Sequence, residues 1–161
     1  MKFHKEFRFE APLADVYAML GDAAFREKVA AQAGADSYDV TLTPDGADGF
    51  ASVVETQQSS RDLPGIARKF LGDEIRILQE ERWTSATHGD VTVSIPGKPG
   101  QIAGSVDVAP AGDGVTETVS LEITVSIPFV GGKIESLIGD KLKRSLETEN
   151  HVGRTWLEGQ A

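Results

Sequence analysis

The sequence predicts an α+β fold: a curved antiparallel sheet of about seven strands wrapped around one long C-terminal helix, with two short helices after the first strand. Three observations predict it. Residues 115–127 alternate strictly, with Val115, Val119, Leu121, Ile123, Val125 and Ile127 at odd positions and Thr116, Thr118, Ser120, Glu122, Thr124 and Ser126 at even ones. Residues 131–157 then carry apolar side chains at helical spacing. Between residues 36 and 109 the period falls to two, broken by Gly- and Pro-containing turns.

The first strand spans about residues 2–10, with Phe3, Phe7 and Phe9 on one face and Lys2, His4, Glu6, Arg8 and Glu10 on the other. Pro12 suits a helix start, and Leu13, Val16, Tyr17 and Leu20 follow at helical spacing. Gly21 caps that helix and Asp22 opens a second one, which carries Phe25 and Val29 and ends at Gly34. Tyr38, Val40 and Leu42 begin a hairpin that turns at Pro44–Gly49 and returns through about Phe50–Gln58. Ile66, Ala67, Phe70 and Leu71 predict a short helix inside a long connection. Strands follow at about 74–83, 90–96, 101–109 and 115–127. Pro128 ends the last, and Gly131-Gly132 is expected to free the chain to reverse into the long helix.

Composition narrows the function classes. The 161 residues predict a single domain spanning 1–161. The absence of cysteine excludes disulfides, thiol catalysis and Cys-ligated metals. Lys and Arg total 16 against 25 Asp and Glu, a net charge of −9, which argues against nucleic acid or anionic lipid as a partner. No apolar run is long enough for membrane insertion. Met1–Lys5 leads directly into a strand pattern, so no signal peptide is expected and the expected location is cytoplasmic.

Known chemical motifs are absent. His4, His88 and His151 are too widely spaced for a zinc motif, so no metal or cofactor is expected. Gly131-Gly132-Lys133 lacks the remainder of a phosphate loop, and no Gly-x-Ser-x-Gly elbow or Rossmann fingerprint occurs. Two carboxylates are the weak catalytic candidates. Glu117 sits at an odd, otherwise apolar position; turned inward it would be a buried acid with a raised pKa, while beside Gly114 it could instead reach water. Glu81 shares the parity of Ile75 and Ile77, although a bulge near Glu80-Glu81 would rotate it outward.

The element lengths imply a pocket. A helix of this length spans ~40 Å and the strand before it ~43 Å, so one helix lies along the whole sheet. A coiled sheet cannot touch a straight helix everywhere, and the gap becomes a cavity with apolar walls.

The order of elements resembles the helix-grip layout of the START/Bet v 1-like (SRPBCC) superfamily. Ala11-Pro12, Val16-Tyr17, Leu20, Asp22 and Phe25 are similar to the pattern that opens many members. The second half resembles an uncharacterised family of that superfamily, domain of unknown function 2505. This likeness rests on Pro96–Gly100 with Gly104, on Ile127–Glu135, and on Glu149 with Trp156-Leu157. The resemblance implies a wall that binds a small hydrophobic or amphipathic ligand, such as a lipid, polyketide or isoprenoid. Its expected lining is Tyr17, Phe25, Phe70, Ile77, Trp83, Val106, Val119, Leu121, Ile123, Ile134, Ile138 and Leu142. Two alternatives remain open: a polyketide cyclase/dehydratase-type enzyme using Glu117 and Glu81, and a protein-interaction domain whose cavity is closed. Oligomeric state is left open.

Overall fold

The computed structural model describes residues 1–159. Strand β1 (Lys2–Phe9) leads into α1 (Leu13–Leu20) and α2 (Ala23–Gln32). The hairpin β2 (Ser37–Asp45) and β3 (Gly49–Ser59) is followed by α3 (Gly65–Leu71). Strands β4 (Glu74–Ser85), β5 (His88–Ser94), β6 (Gly100–Ala111) and β7 (Gly114–Val125) precede α4 (Gly131–Glu158). All pairings are antiparallel and give one seven-stranded sheet in the order β1-β7-β6-β5-β4-β3-β2. This is the helix-grip architecture: α4 lies against the concave face of the sheet, and β1 returns to pair with β7.

Local chemistry sets the joints. The Asp22 side chain accepts from the N–H groups of Ala24 at 2.8 Å and Phe25 at 3.4 Å, so α2 starts two residues after α1's capping Gly21. The turn into α4 differs from expectation. Gly131 and Gly132 do not adopt positive φ; the left-handed residue is Phe129, at φ 69°. Gly131 is needed for a different reason: a Cβ there would lie 2.5 Å from the Val125 carbonyl oxygen. The strand end and the helix start are thus packed backbone to backbone. Glu135 ties the joint, accepting from the Val125 N–H at 2.9 Å.

The core holds Phe9, Val16, Met19, Leu20, Phe25, Trp83, Val108, Val115, Val119 and Ile123, all essentially inaccessible. It gathers where α1 and α2 meet the C-terminal half of α4, and no described helix is long and apolar enough to cross a membrane.

Candidate functional site: a cavity with a buried carboxyl cluster

Period-two alternation decides which side chains face α4. On β4 these are Ile75, Ile77, Gln79, Glu81 and Trp83; on β7 they are Val115, Glu117, Val119, Leu121 and Ile123. The register of β4 against β3 and β5 runs unbroken from Leu78 to Trp83, and the irregularity comes only between Trp83 and Ser85. No bulge therefore rotates Glu81 outward, and it is buried. Glu117 is only 4% exposed and does not reach water beside Gly114. Arg76 and Arg82, on the other face, pair with Glu55 and Asp45 near solvent.

Between this face and α4 lies a cavity of about 440 Å³. Strands β3 to β7 form its floor, α4 its roof, and α2 and α3 its flanks. Of the residues expected to line it, Ile77, Trp83, Val106, Val119, Leu121, Ile134, Ile138 and Leu142 do so. Tyr17, Phe25, Phe70 and Ile123 do not. Tyr17 packs on Phe50 and Trp83 and donates its hydroxyl to the Asp48 carbonyl. Phe25 meets Trp156 edge-on, at 5.7 Å between ring centroids. Ile123 is fully buried beneath Gly139 of α4, and Phe70 is half-buried on α3, whose Ala67 and Leu71 face the cavity instead.

One part of the cavity is polar. Arg26 of α2 reaches Glu81 through two bonds, Nη1 to Oε2 at 2.5 Å and Nη2 to Oε1 at 3.3 Å. Its Nε donates to the Leu20 carbonyl at 2.8 Å. Glu81 also accepts from Trp83 Nε1 at 3.0 Å and Gln79 Nε2 at 2.7 Å. A buried ion pair is tolerable only when its remaining sites are so occupied. Burial alone would raise the Glu81 pKa, but the Arg26 guanidinium and the bonds from Trp83, Arg26 and Gln79 outweigh it and hold Glu81 ionised.

Gly89 makes this arrangement possible. It stands opposite Trp83 in the β4–β5 ladder, and a Cβ there would lie 2.6 Å from the indole ring. The indole therefore lies over the β5 backbone while its N–H reaches Glu81.

Glu117 is different in kind. It lines the cavity and has no hydrogen-bond partner among the described residues. Burial, then the negative charges of Glu149 and Glu81, push its pKa up to about 8 against the opposing effect of Arg26. Glu149 of α4 is half-buried on the same wall and is pushed up to about 7, first by burial, with Arg26 opposing and Glu81 reinforcing. The cluster thus holds a fixed ion pair and, beside it, two carboxyls whose neutral form burial favours. The histidines lie elsewhere: His4 and His151 are exposed, and His88 sits between Asp107 at 2.7 Å and Asp90 at 3.1 Å on the outer face.

Arg26, Gln79 and Glu149 were not anticipated from the sequence. Glu149 had a readable signal, because it continues the Ile138, Leu142, Leu146 stripe of α4 at helical spacing. Arg26 had none beyond its position next to Phe25.

Comparison with known proteins agrees with this architecture. The crystal structure of TTHA0849 from Thermus thermophilus is similar with a TM-score of 0.69 and 16% identity, covering 100% of this chain and 99% of that one. The Zhui aromatase/cyclase from Streptomyces sp. R1128 is similar at TM-score 0.65 and 9% identity, covering 98% and 93%. Ara h 8.0201 is similar at TM-score 0.61 and 12% identity, covering 96% and 98%. At these identities the likeness is one of fold. In sequence, uncharacterised proteins of Mycobacterium bovis and Mycobacterium tuberculosis are 30% identical over 119 residues, covering 70% of this chain and 68% of theirs. Residues 5–157 match the family described as proteins of unknown function (DUF2505), and the chain belongs to that family.

Proposed function

We propose that this protein binds a small, largely apolar ligand in the cavity beneath α4. The observation that carries this reading is the cavity itself. Its volume of about 440 Å³ falls within the range of small-molecule sites, and its walls combine many aliphatic side chains with the buried cluster and with polar groups such as Gln58, Gln101, Lys141 and Arg144.

Access is consistent with binding. Leu63, Leu71, Ile95 and Leu137 of the lining are half-exposed, and Gln32, Gln101, Lys141, Arg144 and Ser145 are exposed, so the cavity opens along the first half of α4 beside α2 and α3. Glu149 is twelve positions beyond Leu137, so the far edge of this opening and the carboxyl cluster are ~18 Å apart along the helix. That is the length of a lipid chain, a polyketide or an isoprenoid.

The test is native mass spectrometry of protein purified without detergent, followed by extraction and analysis of what is released. Apolar species retained in the folded protein and lost on unfolding support the reading. A bare protein that also fails to take up any hydrophobic fluorescent probe would falsify it.

A second reading, a cyclase- or dehydratase-type enzyme, draws on the same carboxyls. Glu117 could deliver a proton inside the cavity and Glu149 accept one. Turnover of polyketide-like chains that is lost in Glu117→Gln would favour it over simple binding.

A further inference from the structure

We propose that the deep end of the cavity is a hydrogen-bond-donor site, in which Glu117 presents a carboxylic acid O–H to an uncharged oxygen of the ligand, a carbonyl or ether on an otherwise apolar body. This rests on the ligand-binding reading above and adds the chemistry of the ligand's inner end.

The argument begins with which polar groups are free. Arg26 commits its Nε to the Leu20 carbonyl and both Nη atoms to Glu81. Glu81 is occupied by Arg26, Trp83 and Gln79. Among the buried polar residues that line the cavity, Glu117 is the one with no hydrogen bond to another described residue; Ser52, the buried hydroxyl without a partner, lies outside it. A buried polar group left unpaired is costly, so it marks a place where a ligand atom gains more than it would elsewhere on the wall.

The next step is the sign of the preference. Every element around Glu117 contributes to it. On β7 its inward neighbours are Val115 and Val119. On β6 Val108 stands opposite, and on β1 Phe7 does, with half-buried Lys5 two pairs further along opposite Val119. Lys5 holds its ammonium over the Phe7 ring, 5.8 Å from the centroid. From α2 comes Arg26, from β4 Glu81 and from α4 Glu149. The one cation in the cluster is already neutralised, and the remaining charge is acidic. A ligand carboxylate or phosphate entering here would meet three carboxyl groups and, among the residues that line this end, only the Arg26 guanidinium that Glu81 already occupies; Lys5 is not part of the lining. A ligand ammonium would require Glu117 or Glu149 to ionise in a setting where burial opposes it. An uncharged acceptor meets neither obstacle, and the neutral acid supplies the donor it lacks. The result is a deep end selective for ketones and ethers over carboxylates, while the cations of the lining, Lys141 and Arg144, lie at its exposed rim.

The experiment compares three probes of one ring system: propionyl-dimethylaminonaphthalene, which carries a ketone; dimethylaminonaphthalene, which carries none; and dimethylaminonaphthoate, which carries a carboxylate. Each is titrated fluorimetrically into the wild-type protein, Glu117→Gln and Glu117→Leu, at about pH 6 and about pH 9.5, on either side of the Glu117 transition. The ketone is expected to bind wild type about tenfold more tightly than the parent ring at the lower pH, with the carboxylate weakest. That preference should vanish in wild type at the higher pH. It should persist at both pH values in Glu117→Gln, whose amide also donates, and be absent at both in Glu117→Leu. Equal affinity for ketone and parent ring in wild type at the lower pH overturns the donor site while leaving the cavity reading intact. So does a carboxylate that binds best. Failure of all three probes to bind overturns both. The wild-type pH pair decides the matter even if Glu117→Leu does not fold.

Discussion

Glu117 faces Phe7 across β1 and Val108 across β6, in surroundings where an ionised carboxylate has no hydrogen-bond donor. Its consequence for stability follows from linkage. The folded state holds the proton up to about pH 8, whereas an unfolded glutamic acid releases it near pH 4.5. The folded form therefore binds more protons between those values, and stability falls as pH rises through them. Glu149, at about 7, adds to the same trend. Glu81 acts oppositely: its pKa is lowered, so its contribution is present above the unfolded value and is lost only in acid. Thermal melts should show Tm falling by about 5 °C or more between about pH 5 and about pH 9, with Glu117→Gln flattening the upper part of the decline. Identical slopes in the two proteins would rule out Glu117 as the source. The sequence already marked Glu117 and Glu81 as misfits in parity on apolar strand faces. It could not show that Arg26, 55 residues from Glu81, would neutralise one and leave the other free.

At the scale of elements, α4 shows how much a pattern can convey. Its bounds and apolar stripe follow from spacing alone, and the structure places Ile134, Val152 and Leu157 inward as that stripe requires. What spacing does not convey is how closely the helix approaches the sheet. That distance is set by glycines: a Cβ at Gly153 would lie 2.7 Å from the ring of fully buried Phe9 and 3.2 Å from Met19. The helix is thus drawn tight against β1 and α1 at its C-terminal end. Towards its middle, Ile138 and Leu142 face open space instead. Gly153→Ala should therefore destabilise the fold. Overpacking costs about 1–3 kcal/mol and outweighs the gain of up to about 1 kcal/mol in helix propensity. Gly132→Ala, on the same helix with nothing within 4 Å of its Cβ position, should instead be neutral or stabilising by a few tenths of a kcal/mol. Urea titrations of the pair check the contrast, and equal midpoints would mean that the close approach at Gly153 is not tight.

For the whole molecule, strand count, antiparallel order and the cavity between sheet and helix were all legible, because they depend on element lengths and on the hand of sheet twist. The wall was legible only in part. Strand parity placed Val106, Val119 and Leu121 on it, but Tyr17 packs on Phe50 and Trp83 and Phe25 on Trp156, both off the cavity wall. Periodicity distinguishes inward from outward; it does not distinguish core from cavity. The open space predicts that adding volume is tolerated. Ile138→Trp and Leu142→Trp should each abolish uptake of a hydrophobic fluorescent probe while keeping Tm within about 3 °C of wild type. Normal uptake by the folded variants would place the binding space elsewhere. Trp83 has a further consequence for anyone studying this protein. Its indole is wholly shielded from water, its N–H is fixed on an ionised carboxylate, and its ring borders the cavity. The other tryptophan, Trp156, packs on Phe25 outside the cavity. Replacing Trp156 by Phe leaves one native chromophore on the cavity wall, so occupancy can be followed by its emission with no label attached.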